Sequence, residues 1–324
     1  MDGMAARIGG PDHGGGVDAA AARFGGARAS WLDLSTGINP VPYPLPPLAP
    51  DAWAALPDHN ALRALVKTAR AFWQVPEGAA VLAAPGASAL IARLALLAPP
   101  GRVAIPAPTY NEHARAFGLN GWDVVQDGPV TARVAVHPNN PDGRLWTGAA
   151  ACDGLVPGGL LVIDESFADI CPQASLIDLA LRPGTIILKS FGKFWGLAGV
   201  RLGFAIGDPV LIARLQGMLG PWPVSGPALT IGTAALRDTL WAVATRDRLA
   251  RDAVRLDGLM AAAGAALVGG TDLFRLYDTP DALAWQNRLA ARHIWSRVFP
   301  YSASWLRLGL PGSPEGWARL EAAL

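Results

Sequence analysis

From about residue 79 the chain alternates short apolar runs with helical stretches. The apolar runs at 80–83, 103–105, 124–126, 134–136, 160–163, 186–188 and 202–206 predict strands, and helical spacing follows at 88–98, 109–119 and 208–219. Runs without polar alternation suit strands buried on both faces, so the pattern predicts an α/β fold with a mostly parallel seven-stranded sheet covered by helices. Before it, 51–75 reads as helical, with Leu62, Leu65, Val66 and Ala69 on one face. Residues 1–50 are rich in Gly and Pro, with HGGG at 13–16 and a proline cluster at 40–50, which predicts an ordered arm poor in helix and strand. After the turn-rich GPWPVSGP at 220–227 a long helical stretch runs to about residue 263, followed by strands near 273–277, 294–297 and 306–310. The expected organisation is an arm (1–50), a large domain (51–226) and a smaller α+β domain (227–324) that shares its layer with the arm.

Composition narrows the function. The 324 residues are 51% hydrophobic, ample for a core, and the formal net charge is +1. No strong field gathers nucleic acid or an acidic membrane, so an anionic ligand has to be held by a few placed groups. Cys152 and Cys171 form no CxxC and have no clustered His, which argues against a disulfide framework or structural zinc and suits a reducing cytoplasm. The opening MDGMAARIGG carries Asp2 and no apolar core, so no signal peptide is expected, and no apolar run reaches the roughly 20 residues of a membrane span.

Polar and glycine-rich residues stand just after the predicted strands: APGAS (84–88), PAPTYNE (106–112), HPNNPDG (137–143), DESF (164–167) and KSFGK (189–193). Ligands of open α/β sheets bind beyond the carboxyl ends of the strands, so these loops are expected to converge. In KSFGKFWGLAGVRLGF (189–204), Lys193 sits close to a buried strand. Burial penalises a charged lysine, and one productive use is a Schiff base formed by a neutral amine. Ser190 and Arg201 bracket it and both suit a phosphate. A solvated lysine in an ion pair is the other reading of this segment alone. Asp164 ends an apolar strand, and a buried carboxylate needs a cationic partner such as a protonated pyridine nitrogen; a helix cap or metal ligand is the alternative. In HPNNPDG an Asn amide is turned toward the site, or the segment is simply a turn. Gly86, Ala87 and Ser88 open a helix whose free N–H groups favour an anion, without a Walker loop or dinucleotide fingerprint. Tyr110 stacks on a flat ring or belongs to the core.

The order of these segments resembles the fold-type-I pyridoxal-phosphate enzymes, the aspartate and histidinol-phosphate aminotransferase superfamily, over nearly the whole chain. HGGGVDAAAARFGG (13–26), WLDLSTGINPVPYPLP (31–46), SFGKFWGLAGVRLGF (190–204) and GPWPVSGPALT (220–230) are similar, more narrowly, to the L-threonine O-3-phosphate decarboxylases of cobalamin biosynthesis.

The resemblance implies pyridoxal 5′-phosphate as cofactor. It implies Lys193 as its covalent anchor, Asp164 against the ring nitrogen, Asn140 on the ring oxygen and Tyr110 stacked on the ring. Gly86, Ala87, Ser88, Ser190 and Arg201 would surround the cofactor phosphate. Arg307 would bind the substrate carboxylate, and Gly37 and Asn39 lie in the arm over the substrate. His13, the Gly14–Gly16 backbone and Arg297 are candidates for the substrate phosphate. Two positions depart from the aminotransferase pattern: Phe167 stands where many relatives carry tyrosine, and Leu56 where many carry a tyrosine reaching the partner subunit's cofactor. The resemblance further implies a cytoplasmic homodimer and decarboxylation of a phosphorylated amino acid, with no nucleic-acid or membrane partner and no metal. An aminotransferase of the histidinol-phosphate type is the alternative, a non-catalytic cofactor-binding regulator a third, and a nicotinamide oxidoreductase a fourth that lacks its fingerprint.

Overall fold

The computed structural model describes residues 13–324; the expectation about a signal peptide concerns residues outside that range. Seven strands form the main sheet: β2 (Ala80–Ala84), β3 (Arg102–Ala104), β4 (Asp123–Val125), β5 (Val130–Val136), β6 (Leu155–Asp164), β7 (Thr185–Ser190) and β8 (Gly203–Gly207). Their order is β2-β8-β7-β6-β5-β3-β4, and β8 alone runs antiparallel to its neighbours. The apolar runs have their reason here. Along β6, Leu161 and Ile163 enter one core cluster while Leu160 and Val162 enter the cluster on the opposite face. Each such side chain contributes about 1.5–3 kcal/mol on burial, so neither face tolerates a polar alternation.

Helices α4 (Ala87–Leu94), α5 (Asn111–Leu119) and α7 (Pro209–Leu219) cover the sheet, and a short α6 (Gly148–Ala151) precedes β6. The predicted helix over 51–75 is two: α2 (Asp51–Ala54) and α3 (His59–Phe72). Pro57 interrupts the first, and Asp58 starts the second by accepting hydrogen bonds from the Asn60 and Ala61 N–H groups. The long stretch after 227 likewise divides, at Asp238, into α8 (Gly226–Arg237) and α9 (Thr239–Ala262).

A second, antiparallel sheet has the order β12-β13-β10-β9. It comprises β9 (Ala266–Thr271), β10 (Phe274–Asp278), β12 (Arg297–Phe299) and β13 (Ser302–Gly309), with α10 (Ala282–Ala290) and α11 (Pro314–Ala323). The expected strand at 294–297 is split. Its first half, β11 (Ile294–Trp295), pairs with arm strand β1 (Leu32–Asp33), and its second half pairs with β13. The arm also holds a helix, α1 (Val17–Phe24), which the Gly/Pro content concealed; its Val17 and Ala20 pack with Trp31 and Ala290. No helix among the described residues is long and apolar enough to cross a membrane.

Candidate active site

The carboxyl ends of β2, β5, β6 and β7 and the start of antiparallel β8 meet on one side of the main sheet. The loops there enclose an inner cavity and an outer one of about 270 Å³, which share Tyr110, Asn140, Phe167 and Lys193.

Asp164, the last residue of β6, reaches the inner cavity and is buried. His113 Nε2 lies 2.8 Å from its Oδ2, and Ser166 donates to Oδ1 from its backbone N–H at 3.0 Å and from its hydroxyl. Burial pushes this carboxyl upward, but the His113 hydrogen bond and charge, then Ser166, outweigh it, so its pKa lies below the ordinary carboxylate value. An ionised carboxylate at a cavity floor attracts a cation entering from the cavity. The opposite end is arranged for an anion. Gly86 turns the chain from β2 into α4 at φ 85°, and the first N–H groups of α4 have no partner within the helix. Ser88, Ser190 and Arg201 line the cavity around them. A Cβ on Gly86 would stand 2.7 Å from Arg201 Nη2, so only glycine lets the guanidinium approach this turn.

Lys193 lines the same cavity as these groups, its Nζ 5.5 Å from the centre of the Phe167 ring. Burial first, then the Arg307 charge, lowers its pKa to about 8, with Asp164 opposing. The amine therefore loses its proton far more readily than an exposed lysine does. We predict that capture of an aldehyde by the apoprotein rises about tenfold per pH unit up to about 8 and then levels, because only the neutral amine attacks. Stopped-flow measurement of pyridoxal-phosphate uptake across neutral and alkaline pH checks this; a midpoint near the ordinary lysine value would contradict it.

Arg307, from β13, is buried in the wall of the outer cavity. It donates to Asn140 Oδ1 and, over 2.7 Å, to the Ser35 carbonyl, while its Nε has no partner. No carboxylate pairs with it among the described residues. Burial, then repulsion from Arg297, lowers its pKa to about 10. Because Asn140 Oδ1 is engaged by Arg307, the amide presents its donor end to a ligand. Burial, then Asp164, pushes the Tyr110 phenol up to about 12, so it is neutral at working pH.

Gly37, His13, Gly14 and Arg297 line the outer cavity with Phe299 and Tyr301. His13 Nε2 sits 3.0 Å from Glu112 Oε1, and its carbonyl accepts from Arg297 over 3.0 Å. The Gly15 N–H is taken by the Ser35 hydroxyl at 2.6 Å, so of the HGGG backbone only Gly14 faces this space. Gly37 is pressed against Phe274 and Phe167, where a Cβ would lie 2.7 and 2.9 Å from ring carbons.

Asn39 requires a correction. It is buried outside both cavities, with its side chain bonded to Phe194, Val41 and Arg248, so it faces the protein rather than a substrate. Locally, the Asn39 Oδ1 accepts from the Val41 N–H two residues on and its backbone N–H donates to the Lys193 carbonyl, which holds the amide inward against the Lys193 loop. Sequence reasoning also missed His113. It follows Tyr110 by one helical turn, and that spacing places both side chains on one face of the α5 start. Ser35 gave no signal, because its contacts with Gly15 and Arg307 join segments far apart in the chain.

The residues present fit pyridoxal phosphate. There is a carboxylate for a ring nitrogen, an amide donor for a ring oxygen, a depressed lysine, and a helix start with two serines and an arginine for a phosphate. Residues 126–323 match the family described as aminotransferase class I and II. The chain belongs to that family. Within it, the chain is 42% identical to a threonine-phosphate decarboxylase from Sinorhizobium sp, over 96% of this chain and 97% of that protein. It is 40% identical to one from Pseudomonas aeruginosa, over 97% of each. Among solved family structures, a histidinol-phosphate aminotransferase from Sinorhizobium meliloti in complex with pyridoxal-5′-phosphate aligns with TM-score 0.80 at 17% identity, covering 96% of this chain and 93% of that one. The class I and II fold is therefore shared even where sequence similarity has largely gone.

Proposed function

We propose that the protein decarboxylates L-threonine O-3-phosphate to (R)-1-amino-2-propanol O-2-phosphate, with pyridoxal phosphate as cofactor, in cobalamin biosynthesis. The observation that carries the reading is Arg307: a buried guanidinium with no carboxylate partner among the described residues, in one cavity with a buried lysine of depressed pKa. A guanidinium so placed fits a ligand carboxylate in bidentate fashion. Arg297 supplies a second cationic position on the same cavity, with His13 beside it. L-threonine O-3-phosphate, with a carboxylate and a phosphate, matches two such positions. The identity with threonine-phosphate decarboxylases over nearly the full length supports the same substrate.

Pyridoxal phosphate, when bound, supplies a protonated ring that accepts the electron pair released at the substrate carbon bearing the amine. The chain's residues do the rest. Asp164, kept ionised by His113 and Ser166, would hold the proton on the ring nitrogen. Ser88, Ser190, Arg201 and the α4 start would hold the cofactor phosphate, and Tyr110 and Asn140 would fix the ring. Arg307 and Asn140 orient the substrate carboxylate, and this orientation selects which bond breaks. Lys193 Nζ, held at a pKa of about 8, exchanges its proton near neutral pH and would be the group that returns one to the carbon that loses CO₂.

The arm (1–50), large domain (51–226) and small domain (227–324) would act together, the arm forming part of the substrate wall. We also propose a cytoplasmic homodimer. Light scattering should give twice the 33.8 kDa chain mass, and a fully active monomer would contradict it. The functional test compares L-threonine O-3-phosphate alone with L-histidinol phosphate plus 2-oxoglutarate. Turnover of the first without a keto acid supports the decarboxylase; glutamate from the second at a higher kcat/KM overturns it.

A further inference from the structure

Asn39 stands at the junction of the arm and the Lys193 loop, and it is tied on every side. Its backbone N–H donates to the Lys193 carbonyl at 3.0 Å, and its Nδ2 to the Phe194 carbonyl at 2.8 Å. Its Oδ1 accepts from the Val41 N–H at 3.0 Å and from Arg248 Nη2, on α9, at 2.6 Å. Close packing completes the junction: Gly196, at φ 68°, lies so near that a Cβ there would stand 2.7 Å from the Asn39 carbonyl oxygen. The Tyr43 N–H continues the attachment by donating to the Trp195 carbonyl at 2.9 Å.

Four residues earlier in the same strap, the Ser35 carbonyl accepts from Arg307. Between the two attachments, Gly37 and Ile38 line the outer cavity. The strap thus joins the group that faces a substrate carboxylate to the backbone of the lysine that faces the substrate amine. Four peptide units reach at most about 14 Å, so the strap limits how far these groups separate. With Gly37 wedged between Phe167 and Phe274, it has little slack.

We propose that Asn39 is a positioning residue for reaction outcome: it registers the Ser35–Arg307 end of the strap against Lys193, so that the bond to the carboxylate, rather than the bond to hydrogen, is the one held for cleavage. Asn39 touches neither substrate nor cofactor and acts through backbone it shares with Lys193. An amide is the side chain that meets this need, since the position requires one donor toward Phe194 and one acceptor toward Val41 and Arg248. Aspartate keeps the acceptor and loses the donor; alanine loses both. A misplacement on the order of 1 Å is enough to cost about a hundredfold in an oriented reaction. The inference rests on the decarboxylase reading, and the test separates the two.

Wild type, Asn39→Ala, Asn39→Asp and Arg248→Gln are loaded with pyridoxal phosphate and given L-threonine O-3-phosphate without a keto acid. Two products are counted: CO₂, and cofactor converted to its pyridoxamine form, in which the substrate nitrogen stays on the cofactor and the carbon skeleton leaves as a carbonyl compound. The ratio of pyridoxamine form to CO₂ is expected to rise about tenfold or more in Asn39→Ala. Arg248→Gln should shift it in the same direction by less, and Asn39→Asp should fall between. The second readout is the pH midpoint of aldehyde capture by each apoprotein, expected to move upward from about 8 as Lys193 loosens from its buried setting. An unchanged ratio together with an unchanged midpoint overturns the inference, whatever the loss of stability. If Asn39→Ala does not fold, Arg248→Gln decides by the same two readouts. If wild type releases no CO₂, the decarboxylase reading falls, while the midpoints still decide whether Asn39 positions Lys193.

Discussion

Replacing Lys193 with alanine is expected to lower turnover by about 10⁴-fold or more and to remove the visible absorbance of a lysine-bound pyridoxal phosphate. Lys193 lines the inner cavity together with Asp164 and Arg201, and no other lysine lines either cavity. Lys189, four residues earlier, is committed elsewhere: its Nζ is buried against Glu165 Oε2. The variant should nonetheless fold. Lys193 makes no ion pair among those in the structure, and its amine is held below the ordinary lysine pKa chiefly by burial. Removing it takes away an unfavourable buried charge rather than a partner, so the melting temperature should be unchanged or higher. The check combines absorbance, turnover and thermal unfolding on one preparation. A variant that folds and keeps the visible band would place the covalent anchor on another lysine.

The second large effect concerns Arg307. Arg307→Leu is expected to lower kcat/KM for a carboxylate-bearing substrate by roughly 30- to 5,000-fold, the equivalent of about 2–5 kcal/mol for one partner of a buried charge pair. Pyridoxal-phosphate binding should change little, because Arg307 lines the outer cavity and not the inner one. This separation distinguishes the variant from Lys193→Ala, which loses both. The variant also removes the cation that, after burial, does most to depress Lys193, so aldehyde capture should shift to higher pH. Steady-state kinetics with a parallel cofactor titration checks the prediction. Equal losses in cofactor affinity and kcat/KM would mean that Arg307 supports the cofactor cavity instead.

The large sheet was legible because its chemistry is uniform. Strands such as β6 and β7 are buried on both faces and read as unbroken apolar runs, and the polar loops that follow them are short. The residues on those loops, Ser88, Tyr110, Asn140, Asp164, Ser190 and Lys193, accordingly line the cavities. Where contacts are made between segments far apart in the chain, sequence spacing carried less. The run 294–297 looks like one strand, but Ser296 divides it between the arm and the antiparallel sheet. Strand β9 was not anticipated, because at the edge of its sheet it keeps only Thr271 buried and contains two adjacent glycines. Helix α1 was hidden by the glycines that flank it. Asn39 and His113 illustrate the same limit at the site. The first was placed among substrate-facing groups because it lies in the arm, yet its side chain turns toward the Lys193 loop. The second was passed over because its partner, Asp164, is 51 residues away.

The central claim, that this cavity removes a carboxylate and leaves the amine in place, is tested most directly by isotope. L-threonine O-3-phosphate labelled with carbon-13 in its carboxylate is turned over by the cofactor-loaded enzyme in deuterated water, without a keto acid, and followed by NMR. One labelled CO₂ is expected for each molecule of aminopropanol phosphate, with one deuterium on the carbon that carried the carboxylate and the cofactor retained in its aldehyde form. Label that stays in a phosphorylated keto acid, with the cofactor converted to its pyridoxamine form, would contradict it.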